Sequence, residues 1–176
     1  VAGYTVQALL RMRAEETGPL EAVLATAVSR PRWMASHIVC AVAGTAVVLA
    51  VHGLANAVAY CVAAGSADRL PALLGAAMVQ LPATLTLAGF VIAAIGLLPK
   101  WSVAISWAAL TACVLIGQVG PIVELPQWAA NVSPYTHTPA LPSSDLTAAP
   151  LVALGAVAAA LAAAGLVSFG RRDLTF

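Results

Sequence analysis

The sequence predicts an all-α membrane protein, and two observations predict it: the composition and the placement of the charged residues. The chain has 176 residues, of which 61% are hydrophobic and only 9% are charged, whereas roughly 25% of a typical soluble domain is charged. The charges stand in clusters, and the stretches between them are long enough for helices to cross about 30 Å of hydrocarbon. Helices are expected because backbone groups in lipid must pair with one another.

The same numbers exclude two other classes of protein. A disordered chain needs low hydrophobicity and high charge, and this chain has the opposite composition. A nucleic-acid-binding domain needs a basic surface, whereas the net charge here is +1.

Residues 1–14 are predicted to be the cytoplasmic end of an earlier membrane helix. Val1 is not an initiator residue, and the uncharged run that ends at Leu10 is too short to span a bilayer. The run also lacks the basic start and the cleavage site of a signal peptide. An ordinary amphipathic N-terminus is the alternative interpretation.

Residues 15–33 are predicted to form a short amphipathic helix on the cytoplasmic side. Gly18 can cap its start, Pro19 suits the first helical position, and Glu21 lies near the positive end of the helix. Pro31 is expected to end the helix. Apolar residues recur at helical spacing and form one stripe: Leu20, Val23, Leu24, Ala27 and Val28.

The acidic residues of this segment favour a protein partner over lipid. Helices that rest on a membrane surface usually carry Lys or Arg on the polar face, while this one opens with Glu15, Glu16 and Glu21. Docking on a partner is therefore the favoured interpretation, and anchoring on the lipid surface is the alternative.

Four membrane-spanning helices are predicted to follow. Their expected ranges are 35–64, 70–98, 101–120 and 150–169, with an extracytoplasmic segment at 121–149 and a cytoplasmic tail at 170–176. The first two are longer than a bilayer requires and should tilt. If both chain ends are cytoplasmic, seven of the eight basic residues face the cytoplasm, as the positive-inside rule requires.

Few polar side chains interrupt the predicted spans, and those present have helical spacing. His52, Asn56 and Tyr60 follow one another at four-residue intervals, and Gln80 and Thr84 do the same across Pro82. These residues are candidates for the lining of a pathway, since an ionisable residue inside a membrane helix is a functional candidate. Hydrogen bonding between helices is the alternative. Pro82 should kink its helix, as a gate or merely as a matter of shape.

The last predicted span contains a row of small residues, Gly155, Ala159 and Ala163, which would allow close approach of another helix. The segment before it is rich in proline, so long regular structure is not expected there. A partly inserted segment over the exit and a simple exposed loop are both compatible with this pattern. The candidate gate residues in this segment are Pro126, Trp128, Pro134, Tyr135 and His137.

Motifs of soluble enzymes are missing from the sequence. The chain has no phosphate-binding loop, and its only lysine is Lys100, so it cannot bind ATP by that route. Cys40, Cys61 and Cys113 are isolated and have no metal-ligand spacing. We therefore predict neither a catalytic residue nor a metal site, and interpret the cysteines as small packing residues.

Two segments resemble a known family. The pattern Glu15-Glu16-x-Gly18-x-x-Glu21, followed by residues 24–30 and Arg32-Trp33, resembles the cytoplasmic coupling segment of ABC exporter permeases of the second type, a group that includes drug and polyketide-antibiotic exporters. The pattern Leu125-Pro126-x-Trp128 with Ser133-Pro134-Tyr135-x-His137 resembles the extracellular re-entrant segment of that family. The likeness covers nearly the whole chain.

The resemblance implies the C-terminal portion of a permease in the plasma membrane of a bacterial cell. The chain would be a transport subunit and not an enzyme, because ATP would be hydrolysed by a separate subunit. ATP and Mg²⁺ would bind to two copies of a separate ATPase subunit, and a second permease half would complete a path for hydrophobic or amphiphilic molecules by alternating access. The residues implied to couple to the ATPase are Glu15, Glu16, Gly18, Glu21, Leu24, Arg30 and Arg32. The alternatives are a proton-coupled secondary transporter that uses His52 and a membrane scaffold without transport.

Overall fold

The computed structural model describes residues 1–16, 30–123, 125–139 and 148–171, and every regular element in these ranges is a helix. A 3₁₀ turn, Pro134–His137, follows the sixth of the seven α-helices. These α-helices are α1 (Ala2–Glu16), α2 (Arg30–Ala64), α3 (Leu70–Met78), α4 (Leu81–Leu97), α5 (Ser102–Val123), α6 (Gln127–Ala130) and α7 (Ala148–Gly170).

Four stretches of the described chain are long and apolar enough to cross a membrane. They are Arg32–Ala64, Leu70–Leu97, Ser102–Gly120 and Ala148–Gly170. The second stretch contains both α3 and α4, and each of the others is a single helix. The fold class predicted from the sequence, an all-α membrane protein with four spans, is confirmed.

The second span is broken between α3 and α4. Val79 and Gln80 form a turn, and Pro82 lies in the first turn of α4, where its missing N–H group costs no helical hydrogen bond. Pro71 has the same position at the start of α3. The interruption expected near Pro82 is therefore present, and it separates two helices.

Helices α4 and α7 run parallel and make the most extensive helix–helix contact in the described part of the chain. The Thr86 hydroxyl donates a hydrogen bond of 3.1 Å to the Leu154 carbonyl at one end of the contact. Gly96 meets the backbone of Gly165 further along, where a Cβ atom on Gly96 would stand 2.6 Å from the Cα of Gly165. Only glycines permit this approach of two backbones.

The predicted row of small residues on the last span does not pack against another helix in the described part of the chain. Ala159 and Ala163 are exposed, and a Cβ atom at Gly155 would meet nothing within 4 Å in this chain. The buried row of α7 is instead Leu154, Ala158, Gly165 and Phe169.

Helix α1 packs antiparallel to α2. Thr5 and Thr45 face each other in a fully buried hydrogen bond of 2.7 Å between their hydroxyl oxygens. Because Thr45 donates its own proton to the Ala41 carbonyl at 2.7 Å, Thr5 is the donor in this pair. The bond ties the two helices together in the bundle interior.

The helix directions bring most described basic side chains to one end of the bundle. The end of α1, the start of α2 and the end of α7 meet there, with the rings of Trp33 and Phe169 stacked at 6.4 Å between centroids. We call this the basic end, because four of the five described basic side chains lie there. They are Arg11, Arg32, Lys100 and Arg171, whereas Arg69 lies at the opposite end.

The predicted amphipathic helix at 15–33 falls mainly outside the described residues. Its first two residues, Glu15 and Glu16, belong to the end of α1, and its last residues belong to α2. Pro31 therefore does not end a helix as expected, but lies in the first turn of α2, where proline is tolerated.

Candidate functional site

A polar cleft opens among the start of α1, helices α2, α3, α4 and α5, and the segment after α6. It consists of two adjoining parts of about 560 Å³ and about 440 Å³. Both parts are lined by four polar residues, His52, Gln80, Tyr135 and Thr138. Thr84 lines the first part and Asn56 the second. The structure thus brings together five of the residues that the sequence suggested separately for a pathway and an outer gate.

His52 and Asn56 form a hydrogen-bonded pair on α2. The Asn56 amide nitrogen lies 2.9 Å from the His52 backbone carbonyl and 3.1 Å from Nε2 of the His52 ring. One NH₂ group has two protons and can donate to both. In this arrangement Nε2 accepts, so a neutral His52 carries its ring proton on Nδ1. The side chains of both residues are exposed to the cleft.

The break between α3 and α4 supplies the next polar group. The Gln80 carbonyl accepts from the backbone N–H of Thr84 at 3.1 Å and from the Thr84 hydroxyl at 3.0 Å. With its proton committed to this carbonyl, the Thr84 hydroxyl can only accept from Tyr135, whose phenol oxygen lies 3.3 Å away. The Tyr135 hydroxyl is thus held against the start of α4.

Burial governs the chemistry of Tyr135. Desolvation raises the pKa of its phenol above the ordinary value. The phenol is therefore a neutral hydrogen-bonding group at physiological pH.

Local hydrogen bonds shape the segment that carries Tyr135. Pro126 precedes α6, and Pro134 begins the 3₁₀ turn. The Thr136 hydroxyl donates to the Ser133 carbonyl at 2.7 Å, and the His137 ring nitrogen Nε2 lies 3.1 Å from the Asn131 carbonyl. The segment is therefore a compact folded unit that presents Tyr135 and Thr138 to the cleft.

Five of the predicted pathway and gate residues do not line the cleft. Pro126 and Pro134 shape the segment that carries Tyr135, and Pro134 lines an apolar pocket beside the cleft. Trp128 is 75% exposed on α6, His137 bonds within its own segment, and Tyr60 is outside the cleft lining on α2. The spacing of Tyr60 with His52 and Asn56 places it on the same helix face but beyond the reach of the cleft.

An apolar pocket of about 260 Å³ lies beside the cleft, enclosed by α4, α5, α7 and the 3₁₀ turn. Phe90, Ile116 and Pro134 are among its lining residues, and Cys113 lines both the pocket and the cleft. From the sequence, Cys113 was interpreted only as a small packing residue. Its position could have been found from the spacing of Leu110, Cys113 and Gly117, which places them on one face of α5.

The implied coupling residues are only partly described. Glu15 and Glu16 lie in the last turn of α1, Arg30 lies at the start of α2, and the Arg32 side chain is exposed nearby. Gly18, Glu21 and Leu24 lie outside the described residues. Within the described ranges, no three His, Cys, Asp or Glu side chains are grouped closely enough to hold a metal ion.

Comparison with known proteins agrees with this architecture. The family described as "Multidrug efflux system permease Rv1217c, C-terminal domain" matches residues 1–170. The chain is 38% identical over 175 residues to the multidrug efflux system permease protein Rv1217c of Mycobacterium tuberculosis. The match covers 98% of this chain and 32% of that protein, so the chain spans about a third of the length of its relative. These matches confirm the resemblance to the C-terminal portion of a drug-exporter permease, and the chain belongs to the family of the Rv1217c permease C-terminal domain.

Proposed function

We propose that this chain forms the C-terminal part of the membrane permease of an ATP-driven exporter, and that the polar cleft is part of the route for an amphiphilic cargo. The observation that carries the proposal is the polar cleft joined to an apolar pocket through Cys113. The relative in Mycobacterium tuberculosis is a multidrug efflux system permease, which supports the same function.

The chemistry of the two cavities suits a molecule with a polar and an apolar part. His52, Gln80 and Tyr135 offer hydrogen bonds in the cleft, and the adjoining pocket offers hydrocarbon contacts. Sites for small molecules commonly occupy about 300–1,000 Å³ and combine apolar walls with a few polar groups. A drug or a polyketide antibiotic has this amphiphilic character.

The positions of the basic residues support an orientation in which the basic end of the bundle, with the end of α1 and the end of α7, faces the cytoplasm of a bacterial cell, while Val1 lies at the cleft. Arg11, Arg32, Lys100 and Arg171 share one end of the bundle, which the positive-inside rule assigns to the cytoplasm. The protein would then cross the plasma membrane several times. The cleft, near the other end, would open toward the outside.

In this proposal the energy comes from other chains. Two ATPase subunits bind ATP and Mg²⁺, their closure moves the permease through the segment at 15–33, and a second permease half completes the path. The chain itself holds no cofactor and catalyses no reaction. Contact with the ATPase is assigned to the implied coupling residues, of which Glu15, Glu16 and Glu21 supply the negative charge.

Transport by the full-length permease with its ATPase in proteoliposomes tests this function. We expect ATP-dependent accumulation of a fluorescent amphiphile. Gln80→Leu, which removes a polar group from both parts of the cleft, should reduce it severalfold. Gln127→Leu is the matched control, because Gln127 is exposed on α6 and does not line the cleft. Transport that survives without ATP and stops when the proton gradient is abolished would instead establish the secondary transporter that uses His52.

Reversal of the acidic charges tests the coupling segment separately. The triple variant with Glu15, Glu16 and Glu21 changed to Lys should lose co-purification with the ATPase and lose transport. Asp68→Lys is the control, since Asp68 is an exposed acidic residue beyond the opposite end of α2. Full ATPase association and transport in the triple variant would refute the assigned contact.

A further inference from the structure

A second polar groove lies between α1 and α2, apart from the cleft and toward the basic end of the bundle. It has a volume of about 400 Å³. Its polar lining consists of Tyr4, Gln7, Arg11, His37 and Cys40, and Ala8 and Ala41 contribute small side chains between them. The sequence interpretation gave none of these residues a ligand, and the proposed transport route does not include them.

Helical spacing explains how the groove forms. On α1, Tyr4, Gln7 and Arg11 stand three and four residues apart, so they share one face. On α2, His37 and Cys40 stand three residues apart and face them. The small Ala8 and Ala41 leave space between the helices at this level.

The groove extends along α1 and α2 from the basic end toward the middle of the bundle. Seven residues separate Tyr4 from Arg11, which corresponds to about 10 Å along a helix. Arg11 and His37 lie toward the basic end, close to the level of Trp33, whose ring centroid is 4.7 Å from that of His37. Tyr4 lies deeper, where its phenol packs against Gly44.

We propose that this groove binds an anionic phospholipid, with its phosphate headgroup at Arg11. The guanidinium of arginine matches the geometry of a phosphate, and Gln7 adds an amide donor one turn deeper. An acyl chain then follows the groove past Ala8 toward Tyr4. The described lining includes no carboxylate, so the ammonium group of a zwitterionic lipid finds no charged partner in it. Basic pockets between membrane helices on the side of an anionic leaflet bind anionic lipid headgroups in this way.

The proposal requires only that the helices lie in a membrane, and it is independent of the transported cargo. Native mass spectrometry of the full-length permease, delipidated and then titrated with phosphatidylglycerol or phosphatidylcholine, measures it directly. We expect preferential retention of phosphatidylglycerol and a loss of about fivefold in its affinity in Arg11→Gln, the size expected for one basic residue near an anionic surface. Lys100→Gln is the matched control, since Lys100 is an exposed basic residue at the same end and outside the groove.

Thiol labelling gives a second measurement at the same site. Cys40 is exposed and lines the groove, whereas Cys61 lies near the other end of α2. A bulky maleimide on Cys40, in a chain with the other two cysteines changed to Ser, should abolish phosphatidylglycerol retention. The same label on Cys61 alone should leave retention unchanged.

Three results would overturn the proposal. Equal losses in Arg11→Gln and Lys100→Gln would show a diffuse charge effect. Displacement of phosphatidylglycerol by millimolar inorganic phosphate would show a site for the free anion. Absence of any retained lipid, together with a Cys40 that resists labelling in the full permease, would show that another part of the permease fills the groove.

Discussion

The phenol of Tyr135 donates a hydrogen bond to the hydroxyl of Thr84, with 3.3 Å between the two oxygens. The bond connects the folded segment between α5 and α7 to the start of α4, across a separation of 51 residues in the chain. It is therefore a specific link between the outer segment and the helix break beside the cleft.

A double-mutant cycle measures this link. Tyr135→Phe and Thr84→Val should each destabilise the protein, and together by less than the sum, with a coupling energy of about 1 kcal/mol for a partly buried hydrogen bond. Unfolding of the purified protein in mixed micelles provides the free energies. Tyr60→Phe serves as the control, because Tyr60 lies outside the cleft. Strictly additive losses would show that the hydroxyls do not interact.

The raised pKa of Tyr135 predicts an effect of alkaline pH on stability. Burial disfavours the phenolate in the folded protein, so the folded-state pKa exceeds the unfolded value. Below the ordinary value of 10.0 both states are protonated and stability does not change through this group. Above it the unfolded state loses the proton first, and the free energy of unfolding falls. Tyr135→Phe should show a smaller decline above that pH, and an identical decline would contradict the burial effect.

Two glycines of α7 should respond oppositely to alanine. A Cβ atom at Gly165 would stand 2.6 Å from the Ile92 carbonyl carbon and 2.9 Å from the Ala93 nitrogen, so Gly165→Ala should cost about 1–3 kcal/mol through forced separation of the backbones. Gly155 has nothing within 4 Å of that position, and Gly155→Ala should be neutral or stabilising by up to about 1 kcal/mol through helix propensity. Thermal unfolding in detergent compares the two variants, and equal effects would argue against the packing of α4 on α7.

Cargo should protect Cys113 from thiol reagents. Cys113 stands where the polar cleft meets the apolar pocket, so a bound amphiphile would cover it. In a chain with Cys40 and Cys61 changed to Ser, we expect a severalfold slower reaction with a small maleimide when a transported amphiphile is present. A chain that keeps only Cys61 is the control, since Cys61 lines neither cavity nor the groove between α1 and α2. If a transported amphiphile does not change the rate at which the maleimide reacts with Cys113, the transport route does not pass this residue.

The spans could be predicted from the sequence because lipid imposes strong local rules. Uncharged length and the need for internal hydrogen bonds are properties of each segment alone, and the observed Ser102–Val123 helix differs little from the predicted range 101–120. The break near Pro82 also follows from one residue, because proline lacks the N–H group of a continuing helix.

The packing face of α7 could not be predicted in the same way. Small residues surround this helix on nearly every side, so the spacing of Gly155, Ala159 and Ala163 is no better than that of the buried Ala158 and Gly165. The partner helix decides which row is used, because Gly89 and Gly96 on α4 accommodate only one of them. The meeting of His52, Gln80 and Tyr135 likewise depends on tertiary structure. Each residue could be identified in the sequence as a polar group in an apolar stretch. The sequence could not show that the three residues line one cleft.

The glycine contact between α4 and α7 divides the bundle into parts with different freedom to move. Two backbones in direct contact cannot slide or separate without the loss of many close contacts at once. We therefore expect α4 and α7 to move together as one rigid body. Any change in the width of the cleft must therefore arise from its other walls, which are the start of α1, helices α2, α3 and α5, and the segment that carries Tyr135. Because the turn at Val79–Gln80 separates α3 from α4, α3 is the part of the second span that this contact does not hold against α7.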